Sequence, residues 1–165
     1  MKRFISLLCC VLVVLSSFGL WIPADAAEVD STAEEILISE SVEYLEDGRI
    51  ITTSVYETPV VTRATVYNKS GRKVLTESNA DGETLYTFTV SGIFTVREGS
   101  SAVCISSSYS TNIVNDAWYC YSASASKSAN KAIADGVFKK KLLGITVETD
   151  TRQVVLTCDI DGAMF

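Results

Sequence analysis

Thr84-Leu85-Tyr86-Thr87-Phe88-Thr89-Val90-Ser91-Gly92-Ile93-Phe94-Thr95-Val96 is the stretch that decides the fold class. Tyr86, Phe88, Val90, Gly92, Phe94 and Val96 form an unbroken even-numbered series set against the odd-numbered Thr87, Thr89, Ser91, Thr95 and Arg97. Side chains on a strand alternate between its faces. The pattern therefore predicts one long strand with an apolar side and a polar side, bent at Gly92. Such a strand can hide its apolar side only against a second layer.

The flanking sequence repeats the theme. Val103, Ile105, Ser107 and Tyr109 predict a neighbouring strand, joined through the loop Glu98-Gly99-Ser100-Ser101. Val154, Leu156, Cys158 and Ile160 predict another. Asp47-Gly48 between apolar runs at 42–45 and 50–56 is a hairpin signal. Ser70-Gly71 and Asp81-Gly82 read as further turns, and so does the segment 149–151. Two stretches compete for helix. Ser31-Thr32-Ala33-Glu34 resembles a capping box. Within 123–138, Ala129, Ile133 and Val137 suit a helical stripe, but alternating serines from Ser122 to Ser128 favour a strand. Frequent turn signals with β-formers between them point to an all-β chain, an antiparallel β-sandwich of immunoglobulin-like or similar type.

The N-terminus carries a different message. Lys2 and Arg3 precede an apolar run over 4–22, and Pro23 and Ala24-Asp25-Ala26 follow. A positive start, an apolar centre and a small-residue cleavage site, in that order, read as a signal peptide over 1–26 and a secreted product. The rival is an uncleaved anchor, because the run is just long enough to span a bilayer. Cys9 and Cys10 lie inside it and leave with it on cleavage. The remainder is expected to comprise an acidic segment with a hairpin at 27–60 and a sandwich domain at 61–165.

The formal net charge is −6, with acids crowded between Glu28 and Asp47. An acidic chain repels nucleic acid and anionic membranes, which argues against both as partners. There is no histidine. Serine–histidine and cysteine–histidine hydrolase mechanisms are thereby excluded, together with the commonest zinc ligand. No cofactor is implied.

Past the leader stand Cys104, Cys120 and Cys158. An odd number in an exported chain means one bridge and one free thiol, or an intermolecular bond. Cys120 sits in the aromatic run Trp118-Tyr119-Cys120-Tyr121, where a small buried hydrophobe is expected, and this favours Cys104–Cys158 among the pairings. That bridge would close a loop of about 55 residues and contribute about 4 kcal/mol on the chain-entropy model.

From Ala64 onward the chain resembles a family of small secreted proteins of unknown function from gut-dwelling Gram-positive bacteria. The residues carrying the resemblance are the 84–96 segment, the Trp118 region, Ser124-Ala125-Ser126-Lys127-Ser128-Ala129-Asn130-Lys131-Ala132 and Val154-Val155-Leu156-Thr157-Cys158. The resemblance implies an all-β domain, a Cys104–Cys158 pair and a bacterial source, and no activity. Cys120 and the run Lys139-Lys140-Lys141 depart from the family pattern.

Chemistry has few candidates. Asn79-Ala80-Asp81-Gly82-Glu83 and Asp159-Ile160-Asp161-Gly162 space oxygen ligands as calcium loops do, but lack the full set with a distal glutamate and read as turns. Two facing carboxylates could serve a glycosidase, although no pair stands out among so many acids. Trp118, Tyr119 and Tyr121 could present aromatic rings to solvent, as modules that grip sugars or proteins do. The expectation is a secreted, non-enzymatic extracellular interaction module for a protein or glycan. The alternative is a secreted carboxylate-dependent hydrolase acting on glycans.

Overall fold

A computed structural model describes residues 34–165, and every regular element in that range is a strand. The strands are β1 (Ile36–Tyr44), β2 (Ile50–Glu57), β3 (Val66–Ser78), β4 (Thr84–Arg97), β5 (Ser101–Ile113), β6 (Trp118–Ser128), β7 (Lys131–Leu142) and β8 (Ile145–Thr157). They form two antiparallel meanders, a five-stranded sheet ordered β1-β2-β3-β4-β5 and a three-stranded sheet ordered β6-β7-β8. The signal segment 1–26 and the capping box at 31–33 lie outside the described residues.

The 84–96 stretch is the centre of the core. Tyr86, Phe88, Val90, Phe94 and Val96 of β4 are all fully buried, and they meet Ala132, Ala134 and Phe138 of β7 and Val154 and Leu156 of β8. Tyr86 stacks on Phe138 with ring centroids 4.1 Å apart, and Phe88 meets the same ring edge-on at 5.3 Å. These contacts join the sheets face to face as a β-sandwich. Alanines and Gly136 in β7 leave room for the β4 rings. Gly92 makes the reverse accommodation, because a Cβ there would stand 2.9 Å from the Ala132 Cβ and 2.7 Å from the Phe94 ring.

Several local expectations give way to the sheet. Ser70-Gly71 is no turn, since β3 runs through it and pairs with β2 and β4 on either side. The glycine is there because a Cβ would meet the Met164 sulfur and lie 2.6 Å from the Tyr56 carbonyl oxygen. Residues 149–151 are likewise mid-strand in β8, and the turn falls at Leu143-Gly144. In β5 a bulge opposite the Ile93–Phe94 step leaves Ile105 without a partner and reverses the alternation. Cys104 therefore points into the core, while Val103 and Ile105 face solvent. Residues 123–138 are two strands meeting at Ala129-Asn130, where Ala129 takes a φ of 51°.

The hairpin at Asp47-Gly48 forms, with Gly48 at a φ of 86°. It continues the five-stranded sheet: β2 pairs with β3 from Ile50↔Ser78 to Glu57↔Gly71, and Ile51 and Val55 enter the core. The described part of 27–60 thus shares one sheet and one core with the strands that follow.

Candidate functional site

The aromatic run at the start of β6 divides between core and surface. Trp118 is 3% exposed and packs 5.4 Å from the Tyr86 ring, so it is a core residue and no part of a binding surface. Its Nε1 has no hydrogen-bond partner. Tyr121 is 62% exposed. A bulge between Cys120 and Ser122 leaves Tyr121 outside the ladder and turns it outward.

β7 supplies the partners. Trp118 lies opposite Lys140 and Tyr119 opposite Lys139. The Lys139 Nζ stands 3.4 Å from the Tyr121 ring centroid and the Lys141 Nζ 4.5 Å from that of Tyr119. Lys140 reaches the Trp118 ring at 5.9 Å from the other side. Two tyrosines thus sit on the outer face of the small sheet, each with an ammonium held over its ring. This part of the face combines apolar ring bodies with positive tips. The sequence singled out the tyrosines; their lysine partners depend on the β6–β7 register.

The acids that converge do so elsewhere. Glu77 of β3 is fully buried and accepts hydrogen bonds from the Tyr86 hydroxyl at 2.6 Å, the Arg152 Nε at 2.9 Å and the Arg152 Nη2 at 3.1 Å. Arg49 binds Glu77 and Asp150 together through one nitrogen, and it also reaches Asp47 and Glu148. Burial works against the Arg49 charge, yet Asp150, Asp47 and Glu77 together raise its pKa above the ordinary guanidinium value. The Arg49 amide and side chain hold Asp47 below the usual carboxylate value. Glu77 and Asp150 are the closest counterpart to the carboxylate pair of a glycosidase. Their oxygens, however, are committed to two arginines and a tyrosine inside the sandwich, with no face open to a sugar.

A groove of about 380 Å³ lies between β8 and β1–β3, lined by Ser41, Thr53, Lys73, Leu75, Gln153 and Val154 together with Val155. Lys73 is its one titratable lining residue, and burial lowers its pKa. The Asp and Asn turns are built by their own side chains. The Asp159 carboxylate accepts the amides of Asp161 and Ala163 at 2.9 and 2.8 Å, and the Asn79 side-chain oxygen accepts those of Asp81 and Glu83 at 3.0 and 2.8 Å. Among the described residues no cluster of three or more His, Cys, Asp or Glu is placed to hold a metal.

The cysteines separate as well. Cys104 donates its amide to the Ala129 carbonyl at 2.8 Å, and Cys158 donates its amide to the next carbonyl, Asn130, at 3.0 Å. Both are buried at the same turn, and no disulfide joins them in this structure. Burial pushes the Cys158 thiol up to about 11, against an opposing pull from Lys69; burial also raises Cys104. Cys120 lies opposite Phe138, toward the other end of β6. In comparisons with family models, curated proteins and solved structures, the chain matched none.

Proposed function

We propose that this chain is an exported, non-enzymatic β-sandwich whose outer β6–β7 surface engages an extracellular protein or glycan. The observation that carries the reading is Tyr121, 62% exposed, with the Lys139 ammonium 3.4 Å from its ring centroid and the Tyr119–Lys141 pair beside it. An exposed aromatic costs nothing to the core it leaves, and rings next to polar groups supply contact area at low entropic cost. Export rests on the leader pattern, and a Cys104–Cys158 bridge is proposed to form with it. Each thiol gives up one proton and one electron to a disulfide donor, such as an oxidised dithiol oxidase, which is reduced in turn. The groove beside Lys73 lacks the paired acids a glycan hydrolase requires, and Glu77 and Asp150 are occupied by arginine.

The test is binding of the exported chain to arrays of glycans and of host and bacterial surface proteins, with Tyr121→Ser as the comparison. Tyr121→Ser should lower binding about tenfold or more while leaving the melting temperature within a few degrees. Turnover of a sugar polymer, with no binding signal that depends on Tyr121, would transfer the assignment to the hydrolase reading.

A further inference from the structure

The β7–β8 hairpin ends in Leu142-Leu143-Gly144-Ile145. Leu143 has a φ of 50° and Gly144 one of 81°, and Leu143 is 95% exposed. A two-residue hairpin turn with both central residues at positive φ favours Asn-Gly, because Asn and Gly tolerate the left-handed region. A leucine there is strained and makes almost no contact within the fold. Leu142, Ile145 and Val147 are also mostly exposed. The last rung, Leu142↔Ile145, lies beyond the start of β6, whose first residue Trp118 pairs with Lys140. Four apolar side chains therefore crown a hairpin that outreaches its neighbour.

Beneath the crown sits a basic collar. Lys139, Lys140 and Lys141 directly precede Leu142, and Tyr119 and Tyr121 stand under two of the ammoniums. Lys140 is ion-paired to Glu148 at 3.8 Å, and Arg49 also binds that glutamate at 3.1 Å. Among the ion pairs of the described residues, Lys139 and Lys141 have no acidic partner. An apolar wedge, a tyrosine belt and lysines whose stems can snorkel follow the order of layers in a bilayer interface. The charge selects an anionic surface.

We propose that the tip Leu142–Val147 inserts into the interface of a bilayer carrying anionic phospholipid headgroups, with Lys139 and Lys141 at the level of the phosphates. This goes beyond the preceding reading, whose partner is a protein or glycan, and uses the same tyrosine–lysine patch as its collar. A net charge of −6 argues against membranes only when charge is averaged over the chain. Here Lys139, Lys140 and Lys141 follow one another beside a projecting point, where a screened, short-range attraction acts.

The experiment is co-sedimentation of the chain recovered from the medium after export. The vesicles are pure phosphatidylcholine or phosphatidylcholine mixed with phosphatidylglycerol. The chain should pellet with the anionic vesicles, less so as salt rises, and only weakly with the neutral ones. Leu143→Asn suits the turn, so it should keep or raise the melting temperature while weakening vesicle binding about tenfold. The pair Lys139→Ser and Lys141→Ser should abolish the preference for anionic vesicles. Absence of vesicle binding, or binding indifferent to Leu143→Asn, overturns the membrane proposal. If array binding that depends on Tyr121 survives that failure, the interaction surface stands and only its lipid partner falls. If Tyr121→Ser leaves array and vesicle binding both unchanged, the surface reading falls as well.

Discussion

Glu77 on β3 and Arg152 on β8 are locked together across the two sheets, with two guanidinium nitrogens 2.9 and 3.1 Å from the carboxylate oxygens. Their geometry is the side-on, two-bond kind that Arg forms with carboxylates. Tyr86 closes a third side of Glu77, and Arg49 from the β1–β2 turn a fourth. The cluster couples sheet to sheet with charge at the end of the sandwich where the aromatic core begins.

Removing one member should cost more than the pair is worth. Glu77→Ala leaves two arginines without their shared buried acceptor and is expected to lose about 3 kcal/mol in urea unfolding. Replacing Glu77 and Arg152 together with leucines should recover much of that loss, since a matched apolar pair strands less charge. A single substitution costing under about 0.5 kcal/mol would show that the cluster is a solvated surface pair.

Alkaline pH offers a second measurement. Burial, and then Glu77, hold the Tyr86 hydroxyl well above the usual tyrosine value of 10.0. Above that pH the unfolded chain loses the tyrosine proton and the folded chain keeps it. The unfolded state then binds fewer protons, and stability falls as pH rises. Tyr86→Phe should cost about 1 kcal/mol at neutral pH and make the alkaline decline shallower. An unchanged slope would place the proton-linked loss on other groups.

Oxidation should sort the thiols. Peptide mapping of the exported chain is expected to yield a Cys104–Cys158 cross-link and an unpaired Cys120. In the reduced chain the Cys158 thiol, buried and pushed up to about 11, should alkylate far more slowly near pH 8 than an unfolded control. Reduction should lower stability by about 4 kcal/mol, less any strain. Native, unreduced chain in which all three thiols react as fast as in the unfolded control would remove the bridge.

Gly92 tests how closely the sheets approach. Gly92→Ala should destabilise by roughly 1–3 kcal/mol, because the added methyl meets Phe94 and the Ala132 Cβ. Ala132→Gly in the same chain should return part of that loss, giving a coupling term in a double-mutant cycle. Strict additivity would mean that the sheets part locally to admit the methyl.

The sandwich was legible because β4 alternates from Tyr86 to Val96 with Ile93 the one apolar residue on its polar side, and alternation reports local burial directly. Turns at Asp47-Gly48 and Asp81-Gly82 were legible because their glycines need positive φ, at 86° and 82°. Gly71 misled because it serves a close contact with residues far along the chain, Tyr56 and Met164, and not a turn. The β5 bulge misled because one extra residue inverts every later side chain, and only pairing with β4 reveals it.

Periodicity thus determined the all-β class and the buried face of β4, and composition the absence of histidine. Which tyrosine met which lysine, which cysteines shared a turn, and the meeting of Arg49 with Asp150 over a sequence separation of 101 were decided by tertiary structure. Alternation follows from the geometry of a single strand, while those meetings depend on which two faces pack and in what register, a choice made by the whole core at once.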